Sequence, residues 1–158
     1  MNIREITAQD DLQMAQIIRH ILENHQLDIP GTAYFDPQLD HLSEFYRDLP
    51  DSAYWVLVNE NEQVVGGVGI APLQDNIAEL QKLYLSDAAT GHGYGQQLLS
   101  HAINFAQQHY QQLYLETSSI LKAANGLYHK NGFKLLDKPL GETGHTLMDT
   151  WFLKQLHE

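Results

Sequence analysis

Leu80-Gln-Lys-Leu-Tyr-Leu-Ser-Asp-Ala-Ala-Thr-Gly-His-Gly-Tyr-Gly-Gln-Gln-Leu-Leu99 is the stretch on which the rest of the chain is organised. Leu80 to Leu85 is apolar and partly alternating, which predicts a strand. Gly91, Gly93 and Gly95 follow two residues apart. Beyond them Leu98, Leu99, Ala102, Ile103, Phe105 and Ala106 recur at helical spacing. Glycines at a strand-to-helix turn let the backbone approach a ligand closely. They also leave amide N–H groups free at the positive end of the helix, a site for phosphate. The expectation is a turn that holds a pyrophosphate.

Three glycine-rich arrangements compete for that role. A Walker loop requires Gly-Lys-Ser/Thr after its last glycine, and Gly95 is followed by Gln96 and Gln97. A dinucleotide fingerprint requires Gly-x-Gly-x-x-Gly and an acidic residue about 20 positions later. Glu116 stands at roughly that distance, but the glycine spacing is Gly-x-Gly-x-Gly. The third arrangement fits best. The run from Leu83 to Leu99 resembles the central motif of the GCN5-related N-acetyltransferases, a Gln or Arg, two residues, Gly, one residue, then Gly or Ala. Thr90 stands where the family usually has Gln or Arg, followed by Gly91, His92, Gly93, Tyr94 and Gly95. The pyrophosphate contacts in the family are largely backbone amides, so the change at Thr90 leaves them intact.

A second block resembles the family's downstream motif. Leu115 to Phe133 reads as a strand, then a helix with Ala124-Asn125-Gly126-Leu127-Tyr128, then Gly132-Phe133. The resemblance extends from Ile3 to about Leu153, by pattern alone in the first third. It implies an α/β fold of the α+β type, a mixed and mostly antiparallel sheet flanked by helices. In that fold two central strands, here those ending at Leu85 and Thr117, run parallel and splay apart. Acetyl-coenzyme A (acetyl-CoA) as co-substrate is implied to enter the splay.

Composition sets the bounds. The chain has 158 residues, enough for one domain and one core, so residues 1–158 are taken as a single domain. There are 20 acidic residues against 9 Lys plus Arg, a net charge of −11. No basic face for nucleic acid is expected, and the charge favours solubility or a cationic partner. The chain has no Cys, which removes disulfides, a thiol nucleophile and a Cys-based metal site. No apolar signal core follows Met1, and no run reaches membrane-spanning length. A cytoplasmic protein without a membrane partner is the expectation.

In chain order, Ile3 and Ile6 predict a first strand, and Thr7 caps a helix with a stripe of Leu12, Ala15, Ile18, Ile21 and Leu22. Residues 24–37 read as loop, and Leu39, Leu42, Phe45 and Tyr46 as a second short helix. Tyr54 to Val58 and Val64 to Ile70 form a hairpin, and the glycines at 66, 67 and 69 invite close approach by another backbone or a ligand. The key strand is Ile77 to Leu85, followed by a helix to about Tyr110. Then come a strand at Leu113 to Thr117, a helix at Leu121 to Lys130, a strand at Phe133 to Leu136, and a last strand at Thr146 to Leu153.

Acetyl transfer to an amine needs phosphate anchoring, carbonyl polarisation, a deprotonated amine and a proton for the departing thiolate. Amides from Gly91 through His92, Gly93, Tyr94 and Gly95 to Gln96 supply the anchor. The resemblance assigns the pantetheine arm and the acetyl oxygen to the backbone of Leu83, Tyr84 and Leu85, and makes Tyr128 the general acid. Asn125, three residues before Tyr128, shares its helix face and is a further candidate for the co-substrate. An ordinary amine arrives protonated, with a pKa of about 10.4, so a base is required. Glu79 is the candidate and Glu116 the rival. His145 is read as a loop histidine able to line the acceptor pocket. Tyr34, Phe35 and Trp151 are possible walls of that pocket, with core packing favoured for Trp151. The nine histidines lack metal-ligand spacing, and no metal is expected.

The function expected is transfer of acetyl from acetyl-CoA to a primary amine of a small molecule or peptide, by direct attack. A non-catalytic acyl-CoA-binding sensor is the alternative. Dimerisation is common in the family, so a homodimer is possible. The acceptor carries no diagnostic motif, and its specificity is placed in residues 27–49 and 140–145.

Overall fold

The computed structural model describes residues 1–157. Seven strands form one sheet in the order β1-β2-β3-β4-β5-β7-β6. They are β1 (Asn2–Glu5), β2 (Ala53–Val58), β3 (Val64–Gln74), β4 (Ile77–Leu85), β5 (Gln112–Thr117), β6 (Lys134–Leu136) and β7 (Thr150–Gln155). Every pairing is antiparallel except β4 with β5. Four helices flank the sheet: α1 (Asp11–Asn24), α2 (Leu42–Arg47), α3 (Tyr94–His109) and α4 (Lys122–Lys130). Among the described residues no helix is long and apolar enough to cross a membrane.

Alternation divides the strands between two cores. On β2, Trp55 and Leu57 join Leu98, Leu99, Ala102 and Ala106 of α3, while Tyr54, Val56 and Val58 join Met14, Ala15, Ile18 and Leu22 of α1. All six residues of β2 are buried, as expected for a strand covered on both faces. The stripe on α1 is Met14, Ala15, Ile18 and Leu22 rather than one beginning at Leu12, which is 64% exposed. The reason lies upstream. The Asp10 carboxylate accepts from the Thr7 amide at 2.8 Å and hydroxyl at 3.0 Å and pairs with Arg4 at 2.7 Å. This turn, over Ala8–Asp10, sets the phase of the helix so that Leu12 points outward. The last strand is also displaced. Residues 146–149 form a turn tied to other loops, Leu147 N donating to the Gly31 carbonyl and Asp149 accepting from Ser119. Strand geometry begins only at Thr150.

Two irregularities in the sheet shape its centre. The β4–β5 ladder has three pairs, Ile77↔Gln112, Ala78↔Leu113 and Glu79↔Tyr114, and then stops. Beyond it Leu80–Leu85 and Leu115–Thr117 have other neighbours or none. In the β3–β4 ladder, Gly67 pairs with Tyr84 and Gly69 with Gln81, so Lys82 and Leu83 together oppose Val68. That is a β-bulge, and Lys82 adopts φ +51° in it. For a side chain larger than glycine this conformation costs about 1–2 kcal/mol.

The bulge is propped from below. The Tyr54 hydroxyl donates to the Lys82 carbonyl at 2.7 Å. Tyr54 reaches that point by lying across β3 where the side chain is missing. A Cβ on Gly67 would fall 2.6 Å from Tyr54 Cε1 and 2.9 Å from the Trp55 carbonyl oxygen. Where another backbone or a ligand was expected, the close approach at Gly67 and Gly69 is made chiefly by the rings of Tyr54 and Tyr46, and at Gly66 by Leu85 and the Tyr84 carbonyl. Gly67→Ala should lose roughly 1–3 kcal/mol in urea denaturation, because Tyr54 or the β2 backbone must give way. An unchanged midpoint would mean the ring has free room to move.

Candidate active site

The glycine turn leads directly into α3. Gly91 has φ +80° and Gly93 φ +82°, values that favour glycine, and a Cβ on either would meet only open space. The first helical bond made by a turn amide is Gln97 N to the Gly93 carbonyl at 3.2 Å. Among the described residues the amides of Gly91, His92, Gly93, Tyr94, Gly95 and Gln96 have no protein acceptor. They stand at the positive end of a 16-residue helix.

The turn closes one end of a groove of about 470 Å³. Leu83, Tyr84 and Leu85 of β4 form one wall, and Leu121, Ala124 and Leu127 at α4 form the other. Gly95 stands close under both walls, a Cβ there lying 3.5 Å from Leu127 Cδ2 and 3.6 Å from Leu85 Cδ1. The groove thus lies between α4 and the part of β4 beyond its ladder with β5. Lys122 and Lys130 line it as well. The sequence motifs do not single out these two ammonium groups, although lysines on a helix facing a glycine turn are the readable signal. The apolar walls, unpartnered amides and nearby lysines fit the arm and diphosphate of a coenzyme A molecule.

The remaining turn residues divide between backbone and side-chain roles. The Thr90 hydroxyl donates to the Asp87 carbonyl at 2.8 Å, bracing the turn locally. The His92 ring leans on Tyr94 at 5.8 Å and does not line the groove. Tyr94 packs on the α3 core. The Gln96 side chain exchanges hydrogen bonds with Asn131 at 2.8 and 2.9 Å, joining α3 to the end of α4. The Asn125 side-chain NH₂ donates to the Ser118 carbonyl at 3.1 Å, while its Oδ1 is buried without a partner among the described residues. That orphaned acceptor suits an amide N–H donor of the pantetheine type.

Tyr128 is 5% exposed and packs against Phe133 and Phe152, ring centroids 5.7 Å away in each case. Burial, and secondarily the Tyr84 phenol, push its pKa up, so it is a neutral O–H donor at any physiological pH. Its hydroxyl has no protein hydrogen bond among the described residues. The side chain is not in the wall of the groove, which Ala124 and Leu127 of the same helix form.

A second cavity continues from the groove. Tyr84 and Leu121 line both. The inner part is walled by Glu79, Gln81, Lys82, Glu116 and His145, and the outer part, of about 320 Å³, by Phe35, Asp36 and Thr143 among others. Glu79 is 6% exposed and accepts from Gln81 Nε2 at 2.6 Å. Gln81 in turn accepts from the Tyr46 hydroxyl at 2.5 Å. Burial pushes the Glu79 pKa up and the Glu116 charge adds to it, against the Gln81 hydrogen bond and the charges of His145 and Lys82. Glu116 is occupied differently. One oxygen accepts from the Tyr114 hydroxyl at 2.6 Å and the other from the Thr143 hydroxyl. Of the two carboxylates, Glu79 is the one with an oxygen left over.

Three further polar groups close the cavity, Lys82, Asp36 and His145, and the first two are absent from the sequence-based site. Lys82, displayed by the bulge and 3% exposed at its side chain, pairs with Asp36 at 2.7 Å. His145 Nε2 lies 2.9 Å from both Asp36 oxygens. Burial would raise the Asp36 pKa, but the His145 hydrogen bond and the Lys82 charge outweigh it and hold the carboxyl below its usual range. His145 is on a loop, as expected, and is bonded into the pocket. Phe35 lines the outer cavity; Tyr34 instead donates to Glu23 at 2.8 Å, and Trp151 lies in β7 outside the cavity walls. Among the described residues no group of three or more His, Asp or Glu side chains is placed to hold a metal ion.

A splayed parallel pair, a phosphate-ready helix start and an adjoining acidic cavity define the class of acyl-CoA-dependent transferases. The family model described as "Acetyltransferase (GNAT) family" matches residues 19–133. The chain therefore belongs to the GNAT acetyltransferase family. It is 39% identical over 159 residues to the N-acetyltransferase YjgM of Escherichia coli (strain K12), covering 98% of this chain and 94% of that one. A GNAT-family acetyltransferase of Staphylococcus aureus Mu50 has the same fold, with a TM-score of 0.88, 22% identity and 99% of each chain covered. The phosphinothricin acetyltransferase of Sinorhizobium meliloti, solved with acetyl-CoA, superposes at a TM-score of 0.75, 20% identity, over 98% of this chain and 87% of that one.

The two acidic anchors titrate with opposite sign. Asp36 has its folded pKa lowered, so it contributes stability above the unfolded value of 3.8 and loses it as pH falls through the folded value. Glu79 has its folded pKa raised above 4.5, so stability is lost as pH rises from there through the folded value. In thermal melts at pH 8, Glu79→Gln should raise the Tm. Asp36→Asn should lower it, through a loss of stability on the order of 3 kcal/mol, since it leaves a buried lysine unpaired. The same sign for both variants would contradict this arrangement.

Proposed function

We propose that this N-acetyltransferase moves the acetyl group of acetyl-CoA directly to a primary amine seated in the Glu79 cavity. The observation that carries it is the shared wall of Tyr84 and Leu121. One end of the passage has six unpartnered amides, and the other a buried carboxylate with a free oxygen.

The co-substrate, when bound, supplies a thioester acetyl group. The amides of residues 91–96 hold its diphosphate, with Lys122 and Lys130 adding charge, and Asn125 Oδ1 accepts from its arm. Backbone N–H groups of Leu83 and Leu85, at and beyond the bulge, are the donors for the acetyl oxygen and the arm. One such donor aimed at developing negative charge is worth about 3–4 kcal/mol. Glu79 takes the proton from the entering ammonium, and its raised pKa brings it nearer to that of the amine. As the N–C bond forms and the C–S bond breaks, Tyr128 gives its proton to the departing sulfur and the acylated nitrogen gives its second proton back to the Tyr128 oxygen; the first proton, held by Glu79, leaves to solvent, so amide, thiol and one proton are the products. Tyr128 is on the same helix as Ala124 and Leu127 of the groove wall, and its phenol, which has no protein hydrogen bond among the described residues, is the donor for sulfur in this reading.

Tyr128→Phe should lower kcat roughly 100-fold while acetyl-CoA still raises the Tm as in the wild type. Glu79→Gln should remove the acid limb of the kcat/KM profile, whose midpoint lies above 4.5 in the wild type. A steady-state thiol-release assay measures both, and the chain adds no background because it has no Cys. Acetyl-CoA binding without thiol release across a broad amine panel would overturn the enzymatic reading in favour of a sensor.

A further inference from the structure

The charges of the acceptor cavity specify more than a base. Beside the Tyr84 phenol, five acidic or basic side chains face it: Asp36, Glu79, Lys82, Glu116 and His145. Lys82 is neutralised by Asp36 at 2.7 Å, and His145 is bonded to the same carboxylate. Among the described residues no cation in the wall is left without a carboxylate partner. Glu79 and Glu116 remain. They stand on one side of the sheet, because Gln81 reaches Glu79 along β4, Tyr114 reaches Glu116 along β5, and Glu79 is paired with Tyr114 in the ladder. The two carboxylates act on each other across the divergence of the strands. Glu79 is nine-tenths buried, and one of its oxygens has no donor.

An acceptor bearing a carboxylate would enter this field against two like charges, with no free ammonium or guanidinium to receive it. A simple monoamine would relieve the field only until its proton passed to Glu79, and would then sit neutral beside Glu116. A molecule with a second ammonium keeps one positive charge in the cavity throughout the reaction. Glu116 and Glu79 both wall the narrow inner part, while Glu79 alone of the two also walls the outer part, where the room for a chain is; that part opens past Phe35, a residue 58% exposed at the rim that offers a face to a cation.

We propose that the acceptor is a multi-amine, with one nitrogen acetylated beside Glu79 and a second held as an ammonium in the field of Glu116. This rests on the direct-transfer reading above and adds to it the chemical class of the substrate. Glu116 is on this view a specificity residue. Its bonds from the Tyr114 and Thr143 hydroxyls fix its orientation and hold the loop that carries His145 over the cavity.

The test compares three acceptors with the same five-carbon chain: pentylamine, 1,5-diaminopentane and 5-aminopentanoate. They differ only at the far end, which is a methyl, an ammonium or a carboxylate. With acetyl-CoA and the full chain, thiol release should give a kcat/KM for the diamine roughly tenfold or more above pentylamine, with the aminocarboxylate lowest. Glu116→Gln should shrink the diamine-to-pentylamine ratio several-fold. Should that variant fold poorly, the wild-type ratio should fall as NaCl is raised from about 0.05 to about 0.5 M. Equal rates for diamine and pentylamine, or a preference for 5-aminopentanoate, would overturn this proposal and leave acetyl transfer standing. Absence of thiol release with all three, while acetyl-CoA still raises the Tm, would overturn both.

Discussion

The separation of β4 from β5 after three paired residues is the constraint on which the site depends. A parallel ladder continued to Leu85 would close the sheet and leave nowhere for a thioester to meet an amine. The opening leaves backbone donors of β4 unspent, and such groups tolerate burial only if a ligand or water satisfies them. The bulge at Lys82 and Leu83 re-aims the strand at the same place, and its left-handed residue is held by the Tyr54 hydroxyl from the opposite core. Small residues on β3 admit the tyrosine, the tyrosine supports the bulge, and the bulge presents Lys82 to Asp36.

Electrostatics divides the opening into two ends of unlike character. At the α3 end the helix dipole, six amides and two lysines favour a polyanion. At the far end Glu79, Glu116 and Asp36 favour positive charge. The two ends meet at Tyr84 and Leu121, so the field changes sign across these two residues. In a chain of net charge −11 the phosphate end is the local exception, and it is made largely of backbone rather than side chains.

The legible features of the sequence were local ones. Gly91, Gly93 and Gly95 between an apolar strand and a helical stripe can hardly be anything but a tight strand-to-helix turn, and β4 has the bounds its pattern implied. The hairpin, α3, β5 and α4 follow from residues within one or two turns of each other. The errors were local as well. The stripe on α1 is phased by Asp10 folding back on Thr7, a detail that hydropathy does not record. Residues 146–149 alternate like a strand, but their polar groups are taken by Gly31 and Ser119 before any ladder can form.

The acceptor cavity was mostly beyond reach. Asp36 and Lys82 are 46 residues apart, and Asp36 and His145 are 109 apart; each looks like an ordinary loop or strand residue in its own neighbourhood. The sequence by itself determined the order of elements and the glycine turn at the start of α3, because backbone conformation at glycine and the periodicity of apolar side chains act over a few residues. Only the tertiary structure decided which charges share a cavity, and which carboxylate keeps a free oxygen. Burial and pairing are set by chain segments that meet only after the sheet has assembled.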